Sequence, residues 1–394
     1  MTIFGDGIHD DTAGIQALLD TRDRIVALPM PQETYMISKP LIIHKSQELK
    51  LPLLGRIKLM DNSNCVMLKN ASDEQGNSDI CITGGIWDQN NQGQLSNSLS
   101  FAHPQAKDNG ILFSNVKNLH ITHLQLTNPV TFALTLDAVS CFSAEDITFA
   151  FHKHNPLAVN NGGIRLNGGC LLGTIRNLKG TCCGDMVTLN ADEGTGGTIS
   201  NIDIDGIFTE NSHSAVRLCS GACNAENIHV HNVFGTYNQC CIGIMPSNAR
   251  TACAYCDGLV WDNIFASKAE HLSIDHKDDT YPLLYIAPHL RIKNLSVANV
   301  CRTEKTTAAP TLLIGQNSVV ESLSLQNIAC DNQTGSPMPL IENNGLIKRL
   351  FYSNLRADGD ALLAGDGHPS GTLNACHDAR QRQADEKVRS AVSA

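Results

Sequence analysis

The chain has 394 residues, with 29 basic side chains against 39 acidic ones, a net charge of −10 and a sequence pI near 5.8. That balance, with no run of lysine or arginine, argues against a phosphate backbone or an anionic membrane surface as partner. No apolar run approaches the ~18 residues a membrane span needs, so no span is expected.

In chain order, the opening "MTIFGDGIHDD" has no basic stretch followed by an apolar one. The expected location is therefore the cytoplasm, or outside the cell if a leader has been removed. "DDTAGIQALLD" reads as an N-cap at Asp11 or Thr12 and a short helix whose Ile15, Leu18 and Leu19 face one way. Residues 1–34 are expected to cap the strand-rich body of the chain, because a stack of strands needs its end edges covered.

From there one phrase repeats: a polar residue, an apolar–x–apolar pair, two residues and another apolar. It occurs as "NLHITHL", "DITFAFH", "GTIRNLK", "NIDIDGI", "NIHVHNV", "GLVWDNI", "NLSVANV", "SLSLQNI" and "RLFYSNL". Its central residues are Ile121, Phe149, Ile175, Ile204, Val230, Trp261, Val297, Leu325 and Tyr352. Alternating apolarity at such a period, punctuated by Asn, Gly, Asp and Ser, predicts a β solenoid rather than a helical repeat. The expected fold is all-β, a right-handed parallel β-helix over residues 35–365. A charged, alanine-rich tail or polar helix is expected over 366–394.

A second set of short strands lies between the phrases: "FALTLDA", "GGIRLNG", "DMVTLNA", "SAVRLCS" and "CIGIMPS". Their alternation predicts two inward columns, Leu134, Ile164, Val187, Val216, Ile242 and Leu136, Leu166, Leu189, Leu218, Ile244. The outward positions then stack as Thr135, Arg165, Thr188, Arg217, Gly243 beside Asp137, Asn167, Asn190, Cys219, Met245. At one strand spacing per coil, ~4.8 Å, Arg165 and Arg217 would stand about 10 Å apart, which suits two ends of one sugar residue. The asparagines and threonines between them offer the donors and acceptors a polyhydroxylated ligand needs.

Fifteen cysteines, an odd number with doublets at Cys182–Cys183 and Cys240–Cys241, suit thiols rather than a disulfide framework. "CSGAC" and "CAYC" place Cys219, Cys223, Cys253 and Cys256 near ligand-like spacings. The C-x-x-C is single, however, and a buried thiol behaves as a small apolar residue, so neither a metal nor a cofactor is expected.

The phrases "FGDGIHDDTAGIQALLD", "GGIWDQNN" and "NVKNLHITHLQLTNPVTFALTLDAVS" resemble segments of the pectin-lyase-like β-helix proteins, most closely glycoside hydrolase family 28, the polygalacturonases and their relatives. The resemblance implies a carbohydrate partner and four active-site segments on successive coils: Asn-x-Asp-Gly, Gly-Asp-Asp, Gly-His-Gly and Arg-x-Lys. Here they read "NNGGI", "CGDM", "NSHSAV" and "CIGIM". Gly162 and Gly184 stand where aspartates are expected, Asp185 and His213 are kept, and Gly243 and Met245 replace the arginine and lysine.

Inverting hydrolysis needs an acid and a base ~6.5–9.5 Å apart, so Asp185 requires a partner. Candidates are Asp192, Glu193, Asp137 and Glu210, the first two only if the chain turns back at "ADEGTGG". The expected activity is glycosidic hydrolysis by Asp185 with His213 in proton transfer, Asp192 and Glu193 as further catalytic candidates. Arg165, Arg217, Asn167, Asn190, Thr188 and Asp137 are expected to hold the sugar. A uronate lyase or epimerase, or a tailspike-like β-helix that binds without turnover, is the alternative, and a homo-oligomer is admitted.

Overall fold

The computed structural model describes residues 2–72, 75–95, 108–151, 161–246, 254–270, 281–357 and 362–367, and the backbone of 373–375. The rest of the expected tail lies outside the described residues. The chain is a right-handed parallel β-helix, its ladders joining each strand to its counterpart in a neighbouring coil. It divides into two compact units, Met1–Thr188 with Glu193–Gly196, and Leu189–Asp192 with Gly197–Ala394.

In the first unit the coils begin at the strand Ile25–Ala27. One inward column runs Val26, Leu49, Ile82, Ile121, Ala144, Ile175 in successive register. A second runs Leu41, Leu68, Ile111, Leu134, Ile164, and a third Ile43, Asn70, Phe113, Leu136, Leu166. The one polar member, Asn70, takes the N–H of Ser114 on its Oδ1 and donates to the Ser72 and Ser114 carbonyls, so its burial leaves no amide group unsatisfied.

The repeat centre expected at Phe149 is corrected by the register. Ile121 faces Ala144, whereas Phe149 faces Leu126 and Gly180. Residues in the left-handed region mark the corners of these coils, among them Asn118 and Cys141 at one corner and His123 and Asp146 at another. An apolar–x–apolar pair follows both corners, so the sequence phrase alone does not say which corner it follows.

The helix Thr12–Asp20 caps this unit. Ile15 and Leu19 are fully buried, but Leu18, expected on the same face, is 37% exposed. Gln16 docks the helix by accepting the Ile42 N–H at 2.8 Å and donating to the Ile42 carbonyl at 3.1 Å. Asp11 occupies the N-cap position without capping by its side chain. Its buried carboxylate instead accepts the N–H groups of Phe4 at 2.6 Å and Met36 at 3.3 Å, tying the N-terminal segment to the strand Tyr35–Ile37.

In the second unit, Ile204, Val230, Trp261, Val297, Leu325 and Tyr352 stand in one register, as the repeated phrase predicts. Val216, Ile242, Leu284, Leu312 and Ile341 form its neighbour. Corners fall at Asn232, Asn263, Asn299, Asn327 and Asn354, all with positive φ. Asparagine tolerates that conformation, and its amide can then bond along the stack. Asn354 donates to Asn327 at 2.9 Å, Asn327 to Asn299 at 2.8 Å, and Asn299 to the Asp262 carboxylate at 2.8 Å.

Candidate functional site

Three neighbouring strands build the first unit's candidate face: Phe132–Asp137, Gly162–Asn167 and, as far as Thr188, Asp185–Asn190. Their inward residues fill the columns, so the alternate residues point away from the core. Pointing away from the core does not open them to solvent: Thr135, Arg165, Thr188 and Asn167 are all buried. The Thr135 hydroxyl is used up on Asn109 Oδ1 at 2.7 Å. Arg165, 5% exposed, lies with its guanidinium 4.4 Å from the Phe132 ring centroid and pairs with the Glu193 carboxylate.

That pair exists because the chain does turn back at "ADEGTGG". The Glu193 carbonyl accepts the N–H of Gly168 at 3.0 Å and of Gly196 at 3.1 Å, so the turn lies over the strand that carries Arg165. Asp137 clasps it from the preceding strand, Oδ1 taking the Thr195 N–H at 2.8 Å and Oδ2 the Thr195 hydroxyl at 3.0 Å. Gly194 has φ +64°, and a Cβ there would lie 2.2 Å from Asp137 Oδ1, so the clasp requires glycine. Two residues expected to contact sugar or carry out chemistry, Asp137 and Glu193, are thus committed to the turn.

Asp185 heads its strand, 3% exposed, and accepts the Thr188 hydroxyl on Oδ2 at 3.1 Å. Gly162, where the resemblance implies an aspartate, has no room for one. A Cβ there would meet the Phe132 ring at 2.5 and 2.6 Å.

In the second unit, Asp192 accepts three backbone N–H groups, of Gly221 at 2.6 Å, Ala222 at 2.9 Å and Cys223 at 2.7 Å. This expected catalytic carboxylate therefore organises the "CSGAC" turn. Asn190 takes the Asp192 N–H at 3.3 Å. His213 is buried between Ser212 and Ser214, on the strand Ile199–Leu218. Glu210 is exposed on the same strand.

Arg217 is half-buried and faces Gly243 in register. A Cβ at Gly243 would meet the Cys240 sulfur at 2.8 Å and the Met245 sulfur at 3.0 Å, so sulfur atoms crowd the place of the family's arginine. Cys219, Cys223 and Cys256 are free thiols, and burial pushes Cys256 up to about 12. Cys253 lies outside the described residues. Among the described residues no group of three or more His, Cys, Asp or Glu side chains could hold a metal.

One buried charge cluster in this unit is absent from the sequence expectations. Arg302 and Glu304, both fully buried, pair through Nε at 2.9 Å and Nη2 at 2.7 Å. Glu304 also accepts the N–H groups of Lys268, Thr306 and Thr307 and the Thr306 hydroxyl, while Arg302 Nη1 reaches the Ala309 carbonyl at 2.8 Å and the Thr311 hydroxyl at 3.2 Å. Burial raises the Glu304 carboxyl, but Arg302 and these donors outweigh it and hold it below the ordinary value. The sequence signal is the i, i+2 pair in "CRTEK", two charges on one face of a strand.

No family model matches the sequence, and no curated protein matches it. Solved structures do. The A-module of a mannuronan C-5 epimerase of Azotobacter vinelandii is 14% identical, with 90% of this chain and 97% of that one covered at a TM-score of 0.55. A family 28 exopolygalacturonase of Yersinia enterocolitica is 12% identical over 94% and 77%, TM-score 0.56. The tailspike of E. coli bacteriophage HK620, solved with a pentasaccharide, is 11% identical over 95% and 72%, TM-score 0.58. The chain shares their fold.

Proposed function

We propose that this β-helix, built on the same plan as an exopolygalacturonase, an epimerase module and a tailspike, acts on carbohydrate as a glycoside hydrolase with Asp185 as its catalytic carboxylate. The observation that carries the reading is a buried carboxylate at the head of an outward-lined strand, held by a neighbouring hydroxyl, on the strand next to a buried guanidinium. A carboxylate withdrawn from water is the kind of group whose protonation an enzyme can use. Asp137 and Glu193 are committed to the "ADEGTGG" turn and Asp192 to the "CSGAC" turn, whereas Asp185 heads a strand of the face itself. Thr188 positions its carboxylate.

A second reading, binding without turnover, is favoured by the two altered family positions. The Phe132 ring fills the place of a side chain at residue 162, and sulfur atoms fill it at 243. The experiment is incubation with a panel of oligosaccharides, read by new reducing ends and by absorbance of unsaturated uronates. Asp185→Asn keeps the shape and deletes the proton chemistry, and is expected to lower turnover by ~10²–10⁴. A variant with more than half the wild-type rate refutes the catalytic assignment. Sugar binding without product in either protein supports the second reading.

A further inference from the structure

We infer that Glu193 sets the specificity of the first unit's face, by occupying Arg165 and so selecting neutral sugars over acidic ones. The inference rests on the carbohydrate reading above and deepens it. A guanidinium on the outward side of a sugar-binding sheet is the natural partner for a ligand carboxylate, because its fork matches two oxygens. Here that partner is supplied by the chain itself.

Four contacts make the occupation a fixed feature rather than a chance meeting of surface charges. The Glu193 carbonyl is held by Gly168 and Gly196, and the turn it belongs to is clasped through Thr195 by both oxygens of Asp137. The guanidinium also packs against the Phe132 ring, 4.4 Å from its centroid. Arg165 is buried while the Glu193 side chain stays 43% exposed, so what the pair shows to solvent is the carboxylate.

Charge then counts against an anionic ligand. Asp137, Asp185 and Glu193 are carried by this face and its turn, and Arg165, the basic residue of the three strands, is already paired. A uronate approaching the partly exposed Glu193 carboxylate meets like charge, which is costly. A neutral sugar carries no charge for that carboxylate to repel.

The test compares trigalacturonate with neutral galactotriose by titration calorimetry at low salt, using the full chain. Wild type is expected to bind the neutral probe and to discriminate against the acidic one. Glu193→Gln, which removes the repelling charge and the ion pair to the guanidinium, is expected to improve trigalacturonate binding by about tenfold, the effect of one charge-assisted hydrogen bond. Galactotriose binding should not change. Glu193→Asp, one methylene shorter, is expected to fall between the two, and adding Arg165→Gln to Glu193→Gln should abolish the gain.

Thermal melting of each variant checks that it is folded. Wild type binding trigalacturonate as tightly as galactotriose would overturn the inference, as would an unchanged ratio in folded Glu193→Gln while galactotriose still binds; the carbohydrate reading would survive either result. Failure of wild type and both variants to bind either probe overturns this inference and counts against the carbohydrate reading itself.

Discussion

Two arginine–glutamate pairs sit in the two units, and they differ in how each is surrounded. Arg302 and Glu304 are both wholly buried, and donors from Lys268, Thr306 and Thr307 saturate the carboxylate. Arg165 is equally hidden, but Glu193 comes from a turn and remains partly in water. The first arrangement locks a fold. The second is expected to tolerate change at Glu193, which is what a position that tunes recognition requires.

Removing one partner is the strongest way to separate the two. Arg302→Met leaves a carboxylate buried without its cation and is expected to destabilise the protein by ~3–5 kcal/mol, measured by urea denaturation. Loss of less than 1 kcal/mol, on the order of a surface pair, would remove the contrast.

Acid should act on the same pair more gradually. The folded Glu304 carboxyl lies below its ordinary value of 4.5, so its contribution is fully present above that value and is lost as pH falls through the lower, folded value. Wild type is expected to lose stability over that acid window, and Arg302→Met to lose less there. Equal acid sensitivity in both would place the titration elsewhere.

The smallest effect is expected at the turn. Glu193→Gln should shift stability by less than ~1 kcal/mol, the usual worth of a partly exposed ion pair. A larger loss would make the turn a structural lock like its counterpart.

The core columns are legible in the sequence because alternation is a direct imprint of the pleat. Leu134 with Ile164, and Val216 with Ile242, stand in the expected register. Phe149 is misassigned by pattern because both corners of a coil are followed by the same apolar pair, and only hydrogen-bond register distinguishes them. Leu18 is misassigned because a nine-residue helix presents a narrow buried stripe. At the candidate site the residue types are readable but their allegiances are not. Asp192 and Glu193 are adjacent in sequence, yet one holds a loop through three backbone amides while the other answers a guanidinium on another strand. Those partners are brought in by a turn whose path depends on Gly194 and Asp137 together.

The corner asparagines of the second unit carry a consequence of polarity. Asn354, Asn327 and Asn299 each donate toward the preceding coil, and the series ends on the carboxylate of Asp262. A second series runs from Asn263 through Asn232 to Asp205 in the same sense. Amide dipoles aligned head to tail polarise one another, and an anion where the last amide donates completes them. Each row behaves as a one-way wire with its negative terminal built in. An aspartate in place of Asn327 would remove the donation to Asn299 and cut the row there, whereas one in place of Asn232 would set a second carboxylate against Asp205 at its terminal.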